Sequence, residues 1–192
     1  GLGLKMFFDS ENVLIPLGAI IIGAIIGEII GIEKGTENLG GWINKQFNKL
    51  TGYEGSESKF IKGFMTATLL FGVGPITLLG SISDGLTGNY ELLAIKAVLD
   101  GFISIAFAST FGIGVAFSAI VIFIFQGTVT LFAAQFQAIL TEAMILELTA
   151  AGGIILAGIG ISSLLEIKKI RVGNYIPALF IAPLIVFILS LF

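Results

Sequence analysis

The chain has 192 residues, of which 56% are hydrophobic and 12% charged, with a mean hydropathy of +1.04 and a formal net charge of −3 at pH 7. An average soluble domain has about 25% charged residues, so this composition excludes a soluble globule and predicts an integral membrane protein. The apolar runs are continuous and not alternating, which predicts an all-α transmembrane bundle in a single domain, residues 1–192.

The chain contains neither cysteine nor histidine. Disulfides and the common zinc and haem ligands are therefore excluded, and we expect no metal and no cofactor. No basic block marks a nucleic-acid-binding surface, so nucleic acid is not an expected partner. Any proton chemistry would fall to carboxylates.

The chain begins with Gly1 to Met6, a run typical of the end of a hydrophobic helix. It lacks the basic region and the cleavage site of a signal peptide. We therefore expect a chain that is shortened at its N-terminus and lacks a hydrophobic segment.

The first complete span is predicted from Val13 to Ile32. Within it Gly23, Gly27 and Gly31 are spaced four apart, a tandem GxxxG pattern that lets a second helix approach closely. The partner helix could belong to the same chain or to a second copy, so a homo-oligomer stays open.

A polar stretch from Glu33 to Ser58 follows, and we expect it to form an amphipathic helix in the headgroup layer. Its predicted apolar face contains Leu39, Trp42, Ile43, Gln46, Phe47 and Leu50, with Asn44, Lys45, Asn48 and Lys49 opposite. A plain connector and a gating or docking helix both fit this pattern.

The remaining spans are expected at 61–83, 92–140, 143–165 and 175–192, which brings the total to about six. The second of these segments is too long for a single crossing of a ~30 Å hydrocarbon core, so it should form two spans with a corner at Phe111 to Gly114. Lysines and arginines concentrate in 33–62 and 168–171, which places both connectors in the cytoplasm and Asp84 to Glu91 outside.

An internal repeat is one interpretation of two similar patterns. Gly1-Leu2-Gly3, a polar turn and Ile15-Pro16-Leu17 are echoed by Gly158-Ile159-Gly160, a polar turn and Ile176-Pro177-Ala178. The orientation puts the two turns on opposite sides, as an inverted repeat requires. Glycine-rich membrane helices also produce such matches by chance.

The span at 61–83 is interrupted by Phe71-Gly72-Val73-Gly74-Pro75. Broken helices in a membrane need protein or water around them, and they are a sequence pointer to a transporter's binding site. The first half offers carbonyl groups and the half starting at Pro75 offers free N–H groups, so cation and anion sites are both open. A proline kink without a ligand is the remaining alternative.

Two polar side chains are expected at the depth of this break. Asp100 and Gln126 both fall near the midplane by the ~1.5 Å rise per residue. Lys96, Asp100 and Ser104 share one helical face; a mid-membrane charge of this kind either serves a function or forms an ion pair that only packs the bundle. The glutamates near span ends, Glu28, Glu142 and Glu147, are expected to face headgroups or water.

Four segments resemble one family. They are FGVGPITLLGSISDGLTGN, KAVLDGFISIAFASTFGIGVAFSA, the pair Gln126-Gly127 and KKIRVGNYIPAL. Together they are similar to the bacterial domain-of-unknown-function 554 family of inner-membrane proteins, and the resemblance covers essentially the whole chain. Members are commonly labelled as transport proteins without an established substrate, and usually begin with a further hydrophobic segment. The resemblance directs attention to Gly72, Gly74, Pro75, Asp84, Lys96, Asp100, Ser104, Gln126 and Gly127.

We therefore expect a transporter or channel for a small solute or ion, without enzymatic activity. An intramembrane aspartyl protease would need two facing carboxyl groups, whereas Asp84 is expected at the surface and Asp100 well below it. A non-transporting scaffold or signalling protein is the alternative, because the glycine pattern and the amphipathic connector also suit it.

Overall fold

A computed structural model describes residues 1–52, 55–72 and 74–191 of the chain. Val73 of the predicted break, Tyr53 and Glu54 of the polar connector, and Phe192 at the end of the last predicted span lie outside the described residues. In the described ranges the chain is helical and contains no strand. Its helices are α1 (Leu2–Phe8), α2 (Leu14–Ile30), α3 (Ile32–Thr51), α4 (Glu57–Gly72), α5 (Pro75–Thr87), α6 (Glu91–Phe111), α7 (Gly114–Leu131), α8 (Ala133–Ile139), α9 (Glu142–Ile159) and α10 (Ala178–Leu189).

The predicted all-α membrane architecture is confirmed. Four segments are long and apolar enough to cross a membrane: α6, α7, α9 with a π-helical extension to Leu164, and Val172–Leu189, which joins a 3-10 turn to α10. Two helix pairs, α2 with α3 and α4 with α5, are each bent at a short break and raise the number of candidate spans to six. About six spans with broken helices had been expected.

The chain divides into two compact units. The first unit comprises Gly1–Glu33, Val73–Pro75 and Ala134–Phe192, and the second comprises Lys34–Gly72 and Ile76–Ala133. The single membrane domain predicted from the sequence stays a prediction.

Small residues let the helices of the first unit approach closely. Helix α9 packs on α1 and α10, and α10 packs on α2. Gly3 and Gly153 contact each other's backbones, and a Cβ atom on Gly23 would lie 2.6 Å from the backbone nitrogen of Ala178. The buried core joining α2, α9 and α10 consists of alanines: Ala19, Ala151, Ala178 and Ala182. Close backbone packing of this kind is how membrane helices gain van der Waals contact.

Gly31 differs from the other two glycines of the predicted row. It ends α2 in the left-handed conformation, with φ +71°, and its N–H donates to the Gly27 carbonyl at 2.8 Å. A Cβ atom there would meet no heavy atom within 4 Å. Gly31 is therefore a helix cap and not a packing residue, because helices commonly end at a residue in the left-handed conformation, which glycine adopts without strain.

The second unit is built around α4, which packs on α6 and α7. Its core contains Ala67, Phe71, Phe111 and Val115. A Cβ atom on Gly63 would lie 2.9 Å from that of Phe111, and Gly114 contacts the backbone of Phe60. The predicted corner between α6 and α7 is present at Gly112, which has φ +79°.

Helix α3 packs through a face that its apolar pattern does not mark. Its buried residues are Gly40, Gly41 and Asn44, whereas Trp42 is 60% exposed and Leu50 84% exposed. Two glycines allow this close packing: Gly40 lies against the Phe64 ring and Gly41 against Ile61. The exposed apolar side chains are free to contact lipid.

Candidate functional site

Helix α6 packs through one narrow face. The residues of α6 that are not fully exposed recur every three or four positions: Leu93, Lys96, Asp100, Ser104, Phe107 and Phe111. This spacing is that of a single helical stripe. The three polar residues singled out on α6 therefore lie on its packed face, with apolar residues on either side.

That face packs against the broken helix, the name used here for α4 and α5 together. Near one end, a Cβ atom on Gly80 of α5 would lie 2.9 Å from the Leu93 side chain. Near the other end, the rings of Phe71 and Phe107 stack with centroids 6.3 Å apart. Asp100 is seven residues, about two turns, from both Leu93 and Phe107, so it faces the same way and lies between these two contacts.

Lys96 and Asp100 form an ion pair on this face, at the i,i+4 spacing. The Lys96 side chain is 12% exposed and that of Asp100 27%. One turn further on, the Ser104 hydroxyl donates to the Gly101 carbonyl at 2.8 Å. The ion pair anticipated from the sequence is present, and it lies where α6 meets the broken helix.

Helix α7 flanks the broken helix as well. A Cβ atom on Gly72 would lie 3.5 Å from Ile122, and Gly85 contacts the Thr130 carbonyl. Gln126 is one turn from Ile122 and one turn from Thr130, and it is partly buried. It therefore lies between two contacts with the broken helix. Within the second unit, Asp100 of α6 and Gln126 of α7 therefore lie on helix faces that pack against α4 and α5.

The break itself has a specific polarity. The Thr77 hydroxyl, fully buried, donates to the Phe71 carbonyl at 3.3 Å and so satisfies an orphan acceptor at the end of α4. Helix α5 begins at Pro75, where proline is favoured because its missing N–H would have no partner. The N–H groups of the first turn of α5 are left without partners inside the helix.

Two hydroxyl groups that the sequence did not single out lie within two turns of these ends. Thr68 Oγ1 on α4 and Ser81 Oγ on α5 are buried and have no hydrogen-bond partner among the described residues. A buried polar atom without a partner costs about 1–3 kcal/mol, which a bound polar molecule would recover. Hydroxyl residues in apolar helices are common, so the pattern alone could not mark them.

Three of the remaining predicted residues are placed as follows. Asp84 is partly buried on α5, next to Gly85. Gly127 has open space around it, since a Cβ atom would meet nothing within 4 Å. Gly74 is partly buried at the break. Gly127 therefore follows Gln126 without a packing contact of its own.

The first unit contains a buried carboxylate that the sequence placed wrongly. Glu147 was expected to face headgroups or water, but it is only 3% exposed. It accepts a hydrogen bond from the Ser10 hydroxyl at 2.8 Å and from the backbone N–H groups of Glu11 and Asn12 at 3.1 and 3.2 Å. The carboxylate fixes the connector between α1 and α2 onto α9.

A second polar cluster lies at the opposite end of α2. Glu28 pairs with Arg171 and accepts a hydrogen bond from the Asn174 amide. The backbone N–H of Glu33 donates to Asn174 Oδ1 at 2.8 Å, and that of Gly173 donates to the Glu33 carboxylate at 3.0 Å. These bonds join the start of α3 to the connector before α10, the two segments that the distribution of basic residues places on one side.

No three of the described aspartate and glutamate side chains come together as a metal-binding group.

Comparison with known proteins gives one family. The family model described as "Protein of unknown function (DUF554)" matches residues 1–187. The chain is 36% identical over 184 residues to "Uncharacterized membrane protein YdfK" of Bacillus subtilis, covering 96% of this chain and 75% of that protein. It is 30% identical over 182 residues to "Uncharacterized protein YqgA" of Escherichia coli, covering 95% of this chain and 77% of that protein. No solved structure matches significantly.

Proposed function

The chain belongs to the DUF554 family of membrane proteins, and we propose that it is a multi-pass transporter or channel for a small solute or ion in the bacterial inner membrane. It acts without enzymatic chemistry, and its partners are membrane lipid and the solute. We assign the solute site to the second unit, where α6 and α7 face the end of α4 and residues 76–87 of α5. Asp100 of α6 and Gln126 of α7 contribute its polar groups.

One observation carries this proposal: the only charged pair on α6 lies on the packed face of the helix, between Leu93 and Phe107. A charge at the centre of a membrane helix costs about 2.5–3.5 kcal/mol on insertion scales. If the pair served only solubility, it would face out at a helix end. Here the pair faces a broken helix in which some polar groups also lack hydrogen-bond partners. A charged pair beside a broken helix is typical of a solute site in a transporter.

The test uses the purified protein in liposomes that contain labelled glycerol, rubidium ions or chloride ions. The parent protein should release at least one of these solutes faster than empty liposomes do. Asp100→Asn and Gln126→Leu should slow that release, because each removes a polar partner at the break. Ser109→Ala is the matched control, since Ser109 lies on the exposed side of α6.

A folded parent protein that releases none of the three solutes would contradict the proposal and leave a scaffold role. Equal release by the parent and both site variants would move the pathway away from the break. Monodispersity in detergent, measured for every variant, separates loss of function from loss of the fold.

A further inference from the structure

Lys96 and Asp100 together bring no net charge into the membrane. Lys96 is the less exposed of the two, at 12%, although lysine is among the residues least often buried. An ion pair in low dielectric is tolerated only while both partners are present, because removal of one leaves an uncompensated charge. Any ligand at this position must therefore preserve the charge balance of the pair.

No further ionisable side chain lies level with the pair on the helices packed against α6. Helix α4 has Glu57, Lys59 and Lys62 in its first turns, and Lys62 lies over the Phe111 ring at 5.2 Å, at the far end of α6. Helix α5 has only Asp84, beyond the Gly80 contact, and α7 has no ionisable residue. On α6 itself Glu91 lies at the first turn.

The polar groups of the broken helix favour a negatively charged ligand. The Phe71 carbonyl, an oxygen that could bind a cation, already accepts the Thr77 hydroxyl. The N–H groups of the first turn of α5 have no partners inside the helix, and this turn carries the positive end of the helix dipole. The hydroxyl groups of Ser81 and Thr68 have no partner among the described residues and can donate to an anion.

This inference rests on the proposed function. We propose that the site carries a small monovalent anion together with a proton. Lys96 is the group that pairs with the anion. Asp100 is the group that carries the proton and that holds Lys96 when the site is empty.

Charge balance explains why the two would move together. In the empty site the ammonium of Lys96 balances the carboxylate of Asp100. A proton from the aqueous phase forms an O–H bond with the Asp100 carboxylate and neutralises it. The ammonium of Lys96 is then released from the carboxylate and pairs with the anion. The net charge of the site is zero in both states, so neither state has an unpaired charge in the membrane.

The experiment uses liposomes that contain the full chain, the pH dye pyranine and potassium gluconate. They are diluted into an equal concentration of potassium chloride, potassium nitrate or potassium L-lactate. The parent protein should acidify the interior with at least one of these probe anions, beyond the rate of empty liposomes. Because coupled entry is electroneutral, valinomycin should leave that rate unchanged.

Variants assign the two roles. Lys96→Gln should slow entry of the active anion by about tenfold or more, the factor expected for loss of a paired charge. Lys96→Arg should retain entry, because it keeps the positive charge. Asp100→Asn should still admit the labelled anion but without acidification, and its entry should become faster when valinomycin supplies compensating potassium. Lys45→Gln, an exposed lysine of α3, is the control.

If Lys96→Gln fails to fold, the double variant Lys96→Gln with Asp100→Asn removes both charges and leaves none unpaired. It should fold and admit no anion. Anion entry by this double variant at the parent rate would overturn the proposal.

Two further outcomes would also overturn it. One is the absence of acidification by the parent with all three probe anions. The other is acidification that follows a sodium or potassium gradient in gluconate alone, which would identify a cation site. In either case, release of glycerol or rubidium ions in the preceding experiment would leave the proposed function standing, so the two failures are distinguishable.

Discussion

Gly27 of α2 packs directly against the backbone of Asn174, so that a Cβ atom on Gly27 would overlap the Asn174 carbonyl oxygen. The contact holds together the end of the first unit where Asn174 also accepts the N–H of Glu33. Both partners are backbone atoms, which leaves no flexible side chain to move aside.

Gly27→Leu should therefore cost about 3 kcal/mol or more of packing and lower the yield of folded protein, because overpacking forces backbone shifts. The matched control is Gly18→Leu on the same helix, where the nearest heavy atom to an added Cβ is Ile185 Cδ1 at 4.0 Å. The measurement is the monodisperse fraction after size exclusion in detergent. Equal yields for the two variants would contradict the contact.

Glu147→Gln should destabilise the first unit. Oε1 of the carboxylate accepts the N–H groups of Glu11 and Asn12, and Oε2 accepts the Ser10 hydroxyl. An amide that keeps its oxygen on the two N–H groups would turn its NH₂ group towards the Ser10 hydroxyl, and all three bonds would lose a charged acceptor. We expect a loss of about 1–3 kcal/mol, read as a lower melting temperature in detergent. Glu142→Gln, at an exposed position of the same helix, should leave the melting temperature unchanged. An unchanged melting temperature for both variants would contradict the buried network.

Gly85→Ala tests how α5 is held beside α7. A methyl group there would overlap the Thr130 carbonyl and lie 2.6 Å from the Ala133 Cβ, so the two helices would have to separate. The free energy of unfolding should fall by about 1–3 kcal/mol, measured as a lower yield of folded protein. Gly127→Ala on α7 is the control because it enters open space, and there alanine should be tolerated or stabilise the helix. The reverse order of stabilities would show that α5 packs elsewhere.

The predicted orientation can be checked by labelling, because the chain has no cysteine. Single cysteines at Lys45, Asn89 and Lys169 all lie at exposed positions. In intact cells an impermeant maleimide should label Asn89→Cys, whereas Lys45→Cys and Lys169→Cys should react only after the membrane is opened. Labelling of all three cysteines in intact cells would contradict the predicted topology.

Length and hydrophobicity made the membrane helices predictable. Glycine and proline located the break after Gly72 and the corner at Gly112, because few residues other than glycine adopt the positive φ of Gly112. The break at Gly31 was not predicted, since Gly31 was assigned to helix packing. The packed face of α6 was predictable as well, since Lys96, Asp100 and Ser104 share one helical stripe. The inverted repeat stays a prediction.

Contacts between distant segments were not predictable. Nothing in the apolar run around Glu147 marks its bonds to residues more than a hundred positions earlier. Likewise, Thr68 and Ser81 are single hydroxyl residues whose burial depends on how the broken helix packs. On α3 the hydrophobic pattern predicted an apolar face of which Trp42 and Leu50 are exposed, but the buried side is decided by Gly40 and Gly41, which hydrophobicity does not register.

The last prediction uses Trp42, the one tryptophan of the chain. It is 60% exposed on α3, next to the exposed Leu39 on a helix that also carries Lys45 and Lys49. An indole ring prefers the boundary between headgroups and hydrocarbon, where its apolar body and its N–H are both accommodated. In liposomes, lipids brominated near the headgroup should therefore quench the fluorescence of Trp42 more strongly than lipids brominated near the chain ends. Trp42→Phe, which removes the signal, supplies the background. Quenching by soluble iodide but by neither lipid would place α3 in water, and stronger quenching by the deep bromines would place it within the hydrocarbon core.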